Sequence, residues 1–185
     1  MTDTALVLVD IQNDYFPGGR MALEHAVEAG AKATAVLSRF RELGLPVVHV
    51  RHESVRPGST FFLPGTPGCD FPDIVAPLPG EAVVTKNFPN SFRGTDLEEK
   101  LGAVGAKRLV VAGMMTNMCI DATVRAAWDM GYACVVAGDA TAACALKHGG
   151  VAVTPSQARA AFLAALGMVY AEVVETDALC AALAR

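Results

Sequence analysis

Three residue types that can together break an acyl bond stand at comparable places in this chain: a carboxylate at Asp10, an ammonium at Lys86 and a thiol at Cys119. Each follows an apolar run. Leu6-Val7-Leu8-Val9 leads into Asp10, Ala82-Val83-Val84-Thr85 into Lys86, and Leu109-Val110-Val111-Ala112-Gly113 into a bend that reaches Cys119. A free thiol titrates near pH ~8.5, and the thiolate is its nucleophilic form. A nearby ammonium and a helix N-terminus both favour that thiolate. A carboxylate within reach can take the thiol proton and later return it to a leaving amine. Backbone N–H groups in the bend over residues 114–119 could hold the oxyanion that forms on the attacked carbonyl. The implied chemistry is hydrolysis of an amide-like C–N bond through a thioester. It calls for no metal and no organic cofactor.

Each residue alone has a plainer reading. A cysteine in an apolar run is often a small buried hydrophobe, as Cys134 should be. An aspartate ending a first strand often caps a loop or binds a metal. A lysine at a strand end is commonly a solvated charge. The case for chemistry rests on all three meeting at one edge.

The surrounding pattern supports that meeting. Residues 4–10, 46–51, 81–86, 108–113 and 132–137 read as strands, and 172–175 as a sixth, shorter one. Several are apolar throughout, which suits strands buried on both faces. Helical spacing covers residues 23–43, with Ala26, Ala29, Ala33, Val36, Leu37 and Phe40 on one side and Gly44 as the stop. Thr95 and Glu98 have capping-box spacing before a short helix that ends near residue 104. A helix follows Cys119 and closes near Gly131. Thr154-Pro155 opens another that runs to Gly167, and a last short helix fits the C-terminus. Strands alternating with helices predict a three-layer, Rossmann-like α/β fold: a mostly parallel sheet with helices on both faces. In such sheets ligands bind beyond the carboxyl ends of the strands. Asp10, Lys86 and Cys119 all fall there.

Residues 52–80 show no period and are rich in proline and glycine. A loop of that length inside a domain is often a lid or substrate wall. Its aromatics, Phe61, Phe62 and Phe71, could line a pocket or simply pin the loop.

The 185 residues suit one domain spanning 1–185. At 52% hydrophobic and 18% charged the chain should be globular, and a net charge of -4 gives no footprint for nucleic acid. No window reads as a membrane span and no basic segment precedes an apolar stretch at the N-terminus. Five cysteines, at 69, 119, 134, 144 and 180, are odd in number and irregular in spacing. They read as reduced thiols of a cytoplasmic protein rather than a disulfide framework or zinc site.

Residues 6–16, with Asp10, Gln12, Asp14 and Phe16, resemble the first motif of the isochorismatase-like cysteine hydrolases. Lys86 with residues 90–97 resembles the second. Gly113-Met114-Met115-Thr116-Asn117-Met118-Cys119 with residues 120–123 resembles the third, and Gly138-Asp139-Ala140 fits the segment after it. Order and spacing hold over nearly the whole chain. The resemblance implies a six-stranded sheet ordered 3-2-1-4-5-6. It implies Asp10 as base, Lys86 as thiolate stabiliser and Cys119 as nucleophile. It also implies an oxyanion hole from the N–H groups of Met115 and Cys119, with a cis peptide at Met114–Met115. Gln12 and Phe16 of the first motif, together with Phe61 and Phe62, are the substrate contacts it suggests. The substrate would be a small molecule, and the protein a homodimer or homotetramer.

Within that family, nicotinamidases carry an Asp-x-His metal motif after the second strand. Here the region reads His49-Val50-Arg51-His52-Glu53, so no metal is expected, and His49 and His52 read as a strand and loop pair. Residues 52–65 resemble the branch that includes streptothricin hydrolase. Two other readings stand beside the amide hydrolase. One is an isochorismatase-type vinyl-ether hydrolase with Asp10 as proton donor. The other is a phosphoacceptor receiver domain, for which Lys86 and Thr116 come in the wrong order.

Overall fold

The computed structural model describes residues 3–183. The first strand, β1 (Thr4–Val9), is buried along its whole length. It lies between β2 (Val47–His52) and β4 (Arg108–Met114), parallel to both. β3 (Ala82–Lys86) flanks β2, and β5 (Ala133–Ala142) flanks β4. The short strands β6 (Leu146–His148) and β7 (Val151–Val153) form a separate antiparallel hairpin. β8 (Glu172–Val174) completes the main sheet, whose order is β3-β2-β1-β4-β5-β8 with every pairing parallel. The sixth strand expected from the sequence is thus β8, at the expected edge.

Alternation along β1 divides the core. Leu6 and Leu8 face one layer with Val36, Leu37 and Phe40 of α1 (Ala26–Glu42) and Leu179 of α5 (Thr176–Ala182). Ala5, Val7 and Val9 face the other, with Leu97 and Leu101 of α2 (Leu97–Ala103), Val124 and Ala127 of α3 (Asp121–Asp129), and Leu166 of α4 (Pro155–Val169). Successive residues of a strand point to opposite faces, so a run apolar at every position needs helices on both sides. Burying one such large side chain stabilises the fold by about 1.5–3 kcal/mol.

Three local expectations change. The capping box at Thr95 and Glu98 does not form. The Thr95 hydroxyl instead donates to the Ser91 carbonyl at 2.6 Å, and α2 starts after Asp96 without a side-chain cap. A capping box forms instead at a later predicted start, where Thr154 and Gln157 bond reciprocally before α4. The β6–β7 hairpin was not read from the sequence, although Gly149-Gly150, both at positive φ, is a two-residue hairpin turn. β5 also runs on past Ala137. Its register against β4 jumps from Val111↔Val136 to Gly113↔Thr141, so β5 holds three extra residues there. They bulge out, and Asp139 among them accepts from the N–H and hydroxyl of Thr176 at the start of α5.

Candidate active site

Parallel register delivers the three reactive side chains to one edge. Val9 pairs with Gly113, and His52 pairs with Lys86. Beyond Val9 the chain turns at Asp10, which has φ 50°. Aspartate tolerates this left-handed setting better than most residues. Beyond Gly113 the backbones of β1 and β4 come so close that a Cβ at position 113 would collide with the Val9 carbonyl. Gly113 also has φ 127°, which disfavours a side chain by itself. The next peptide, Met114–Met115, is cis. A single π-helical turn, Thr116–Ile120, follows and carries Cys119 into α3.

The resulting cluster is almost wholly dry. Asp10 is 0% exposed, Lys86 1% and Cys119 5%. Lys86 Nζ lies 2.7 Å from Asp10 Oδ2 and 3.2 Å from Cys119 Sγ. It also contacts the Phe88 carbonyl and His52 Nδ1, each at 3.1 Å. Asp10 Oδ1 has no hydrogen-bond partner among the described residues, so one lone pair is open to a proton.

Burial sets the resting protonation. It pushes the Cys119 thiol well above its ordinary value, and the Asp10 charge pushes the same way. Lys86 offsets only part of this. The ammonium and helix start expected to favour a thiolate are thus opposed by desolvation, which acts toward the neutral thiol. Burial alone would pull the Lys86 ammonium down, but Asp10 and Cys119 leave it raised. Both shifts favour a charged lysine beside a neutral thiol.

The two N–H groups expected as oxyanion donors belong to Met115 and Cys119. The Met115 carbonyl accepts from the N–H groups of Met118 and Ile120, while the Met115 N–H donates to no carbonyl among the described residues. Met115 and Cys119 both line a cavity of about 230 Å³ directly above the cluster.

Its wall is the loop expected to be a lid. Ser54, Val55, Arg56, Ser59, Phe61 and Phe62 come from it, and face Tyr15, Asn87, Pro89 and Met118. Phe62 packs edge-on against Tyr15 at 4.6 Å. Phe71 does not reach the cavity and packs instead against His49 at 5.7 Å. The loop's aromatics thus divide, two lining the cavity and one pinning the loop. Burial raises the Tyr15 phenol well above its ordinary value, and the charges of Cys119 and Asp10 add to this.

Of the four suggested substrate contacts, only Phe61 and Phe62 line the cavity. Gln12 is fully buried beneath it, and its amide is spent on backbone: Oε1 accepts from the His52 N–H at 2.8 Å, and Nε2 donates to the carbonyls of His52 and Cys69 at 3.0 and 2.8 Å. Phe16 packs on α1, its ring against Gly30. Asp14, in the same motif, accepts from the Phe62 N–H at 2.6 Å and so anchors the wall.

His52 was not expected in the site. It lines the cavity and touches Lys86. The clue was the strand pairing: a second and third strand in parallel register set His52 beside Lys86. Asp10, His52 and Cys119 are also the one set of three metal-capable side chains among the described residues, their ligand atoms within 4.8 Å of one another. Lys86 Nζ sits among all three, so a cation already fills the centre of that donor set.

Comparison with known proteins fits this geometry. A family model described as "Isochorismatase domain" matches residues 4–177. The crystal structure of a provisionally assigned isochorismatase hydrolase from Oleispira antarctica superposes with a TM-score of 0.94 at 47% identity, covering 97% of each chain. Streptothricin hydrolase of Streptomyces noursei is 35% identical over 138 residues, which are 75% of this chain and 49% of that one. A ureidoacrylate amidohydrolase of Rhizobium rhizogenes is 29% identical over 173 residues, covering 76% of this chain and 70% of that one.

Proposed function

This chain belongs to the isochorismatase family of hydrolases, and from that premise we propose that it hydrolyses an amide-like C–N bond of a small molecule with Cys119 as nucleophile. The observation that carries the reading is the buried contact of Lys86 Nζ with both Asp10 and Cys119 at the floor of the cavity. The amidohydrolase and streptothricin hydrolase relatives support the choice of bond.

In this reading the neutral thiol gives its proton to Asp10 as Sγ attacks the acyl carbon, so no free thiolate has to persist in the dry site. The carbonyl oxygen gains negative charge and takes hydrogen bonds from the N–H groups of Met115 and Cys119. Asp10 then protonates the departing nitrogen, leaving a thioester on Cys119. Asp10, again a carboxylate, draws a proton from water as that water attacks the thioester; the acid leaves, and the departing sulfur takes the proton back from Asp10, restoring the neutral thiol. Lys86 stays charged throughout and balances whichever neighbour is the anion.

Screening small amides, lactams and ureido acids against the wild-type chain and Cys119→Ala tests this. The variant should lose turnover by about 10⁴-fold or more while melting at the wild-type temperature. Amide hydrolysis undiminished in Cys119→Ala would sink the proposal. Vinyl-ether cleavage of isochorismate that survives loss of the thiol would instead make Asp10 a proton donor.

A further inference from the structure

His52 has no part in the chemistry just described, yet two separate features fix its place. The β2–β3 register sets it beside Lys86. Gln12 clamps its backbone from both sides, accepting from the N–H and donating to the carbonyl. An ammonium can only donate, so His52 Nδ1, 3.1 Å from Lys86 Nζ, must accept. The neutral ring then carries its proton on Nε2.

Lys86 has three N–H donors. Four acceptors surround it: Asp10 Oδ2, His52 Nδ1, the Phe88 carbonyl and Cys119 Sγ. One of the four always goes without. With His52 and Phe88 holding two protons, one is left for Asp10 and Cys119. While the thiol is intact, the Asp10 carboxylate at 2.7 Å outcompetes the neutral sulfur at 3.2 Å for it by charge, although Oδ2 lies off the ideal hydrogen-bond direction and the sulfur does not. When the S–H bond breaks and an O–H bond forms on Asp10, the negative charge moves to sulfur, and the ammonium proton turns to follow it. The net charge of the cluster does not change.

We propose that His52 is a positioning residue: it holds the Lys86 ammonium in one rotational setting, so that Asp10 and Cys119 share a single one of its protons. The thiolate then forms only as Asp10 takes the thiol proton. This rests on the reading of Cys119 as nucleophile and Asp10 as base, but its test needs no substrate, so the two can fail separately. The charged and titratable groups facing His52 and Cys119 are Asp10 from the end of β1, Lys86 from the end of β3, Arg56 from the cavity wall and Tyr15 from the turn after β1. Burial lowers the His52 pKa. Asp10 pulls the other way, Lys86 and Arg56 act with burial, and the net shift is downward, which favours the neutral ring that can accept.

Removing the acceptor should free a proton for sulfur at all times and acidify the thiol. The experiment is the pH dependence of Cys119 alkylation by iodoacetamide in the full chain, with mass spectrometry separating it from the other four cysteines. His52→Leu keeps bulk but cannot accept. It should shift the alkylation profile down by about one pH unit, so that Cys119 reacts about tenfold faster near neutrality. An apolar leucine would raise a thiol pKa by burial, so this shift cannot come from solvation. His52→Asn, whose Oδ1 can stand in for Nδ1, should restore the wild-type profile. A His52→Leu profile that matches the wild type or moves to higher pH overturns the proposal, as does an equal downward shift in both variants. Should His52→Leu not fold, the ring ¹⁵N shifts of His52 in the wild-type chain decide. A proton on Nε2 alone near neutral pH supports the proposal, and a proton on Nδ1 overturns it.

Discussion

Two polar clusters, one buried and one half-buried, lie on the β2–β3 pair, and they contain the same kinds of group. One joins Asp10, Lys86, His52 and Cys119; the other joins Glu81, Arg41 and His49. Each has a carboxylate, a cation and a histidine from β2. They differ in saturation. Glu81 accepts from Arg41 Nε and Nη2, from the Leu78 N–H and from His49 Nε2, all between 2.7 and 2.8 Å. Four donors use up the lone pairs of a carboxylate. Its carboxyl is held down at about 2, first by Arg41, then by Leu78 and His49, against the opposing effect of burial. Such a group fastens a loop end and does nothing else. Neither Asp10 oxygen has a partner of hydrogen-bond geometry among the described residues; Oδ2 has only the ion pair with Lys86 and Oδ1 has nothing, beside a thiol with a proton to give. A carboxylate with every acceptor site filled is structural; one with a site open toward a proton donor can do chemistry.

Swapping the defects tests that contrast. Asp10→Asn removes the proton acceptor at nearly constant shape. It should cut turnover by about 10²–10⁴-fold, read from steady-state rates, and, because it strands the Lys86 ammonium in the same dry site, lower unfolding free energy by about 3–5 kcal/mol. A variant that melts early yet keeps its rate would reverse the assignment. Lys86→Met strands the Asp10 charge in a dry site and should lower unfolding free energy by about 3–5 kcal/mol in urea titrations. A negligible loss would mean that the pair is not held as described. Glu81→Gln should cost about 1–3 kcal/mol and leave turnover near the wild-type rate.

The smallest effect is one of acidity. A carboxyl depressed from 4.5 to about 2 contributes stability that is complete above pH 4.5 and drains away as pH falls toward 2. Chemical denaturation across that window should therefore show a shallower acid-side decline in Glu81→Gln than in the wild type. Parallel curves would remove Glu81 from the list of acid-sensitive contacts.

Much of this was legible in the sequence because it depends on periodicity and order. All six residues that the helical spacing selected on α1, from Ala26 to Phe40, are buried, and Gly30 joins them. Strand ends were legible as well, and with them the convergence of Asp10, Lys86 and Cys119. What was not legible depends on where side-chain hydrogen bonds go. Nothing in the order of residues says that Thr95 prefers the Ser91 carbonyl to a capping position, or that the Gln12 amide turns inward to the His52 peptide. His49 and His52 looked like one pair. Three residues apart on a strand, they face opposite ways, and one joins each cluster. The effect of burial on the thiol was not legible for a related reason. Charge partners can be guessed from residue types, but the depth of burial that outweighs them cannot.

The way the cavity wall is fastened has a consequence for how the protein can change. Gln12 holds its start at His52, Asp14 holds Phe62, and Glu81 ties down the far end at Leu78. Between the first two ties runs a short span that carries Ser54, Val55, Arg56 and Ser59 to the cavity, and the reacting groups sit on strand ends beneath it. That span is an exchangeable cassette. Its length and side chains can drift, and with them what the cavity admits, while the anchors keep the machinery below in register.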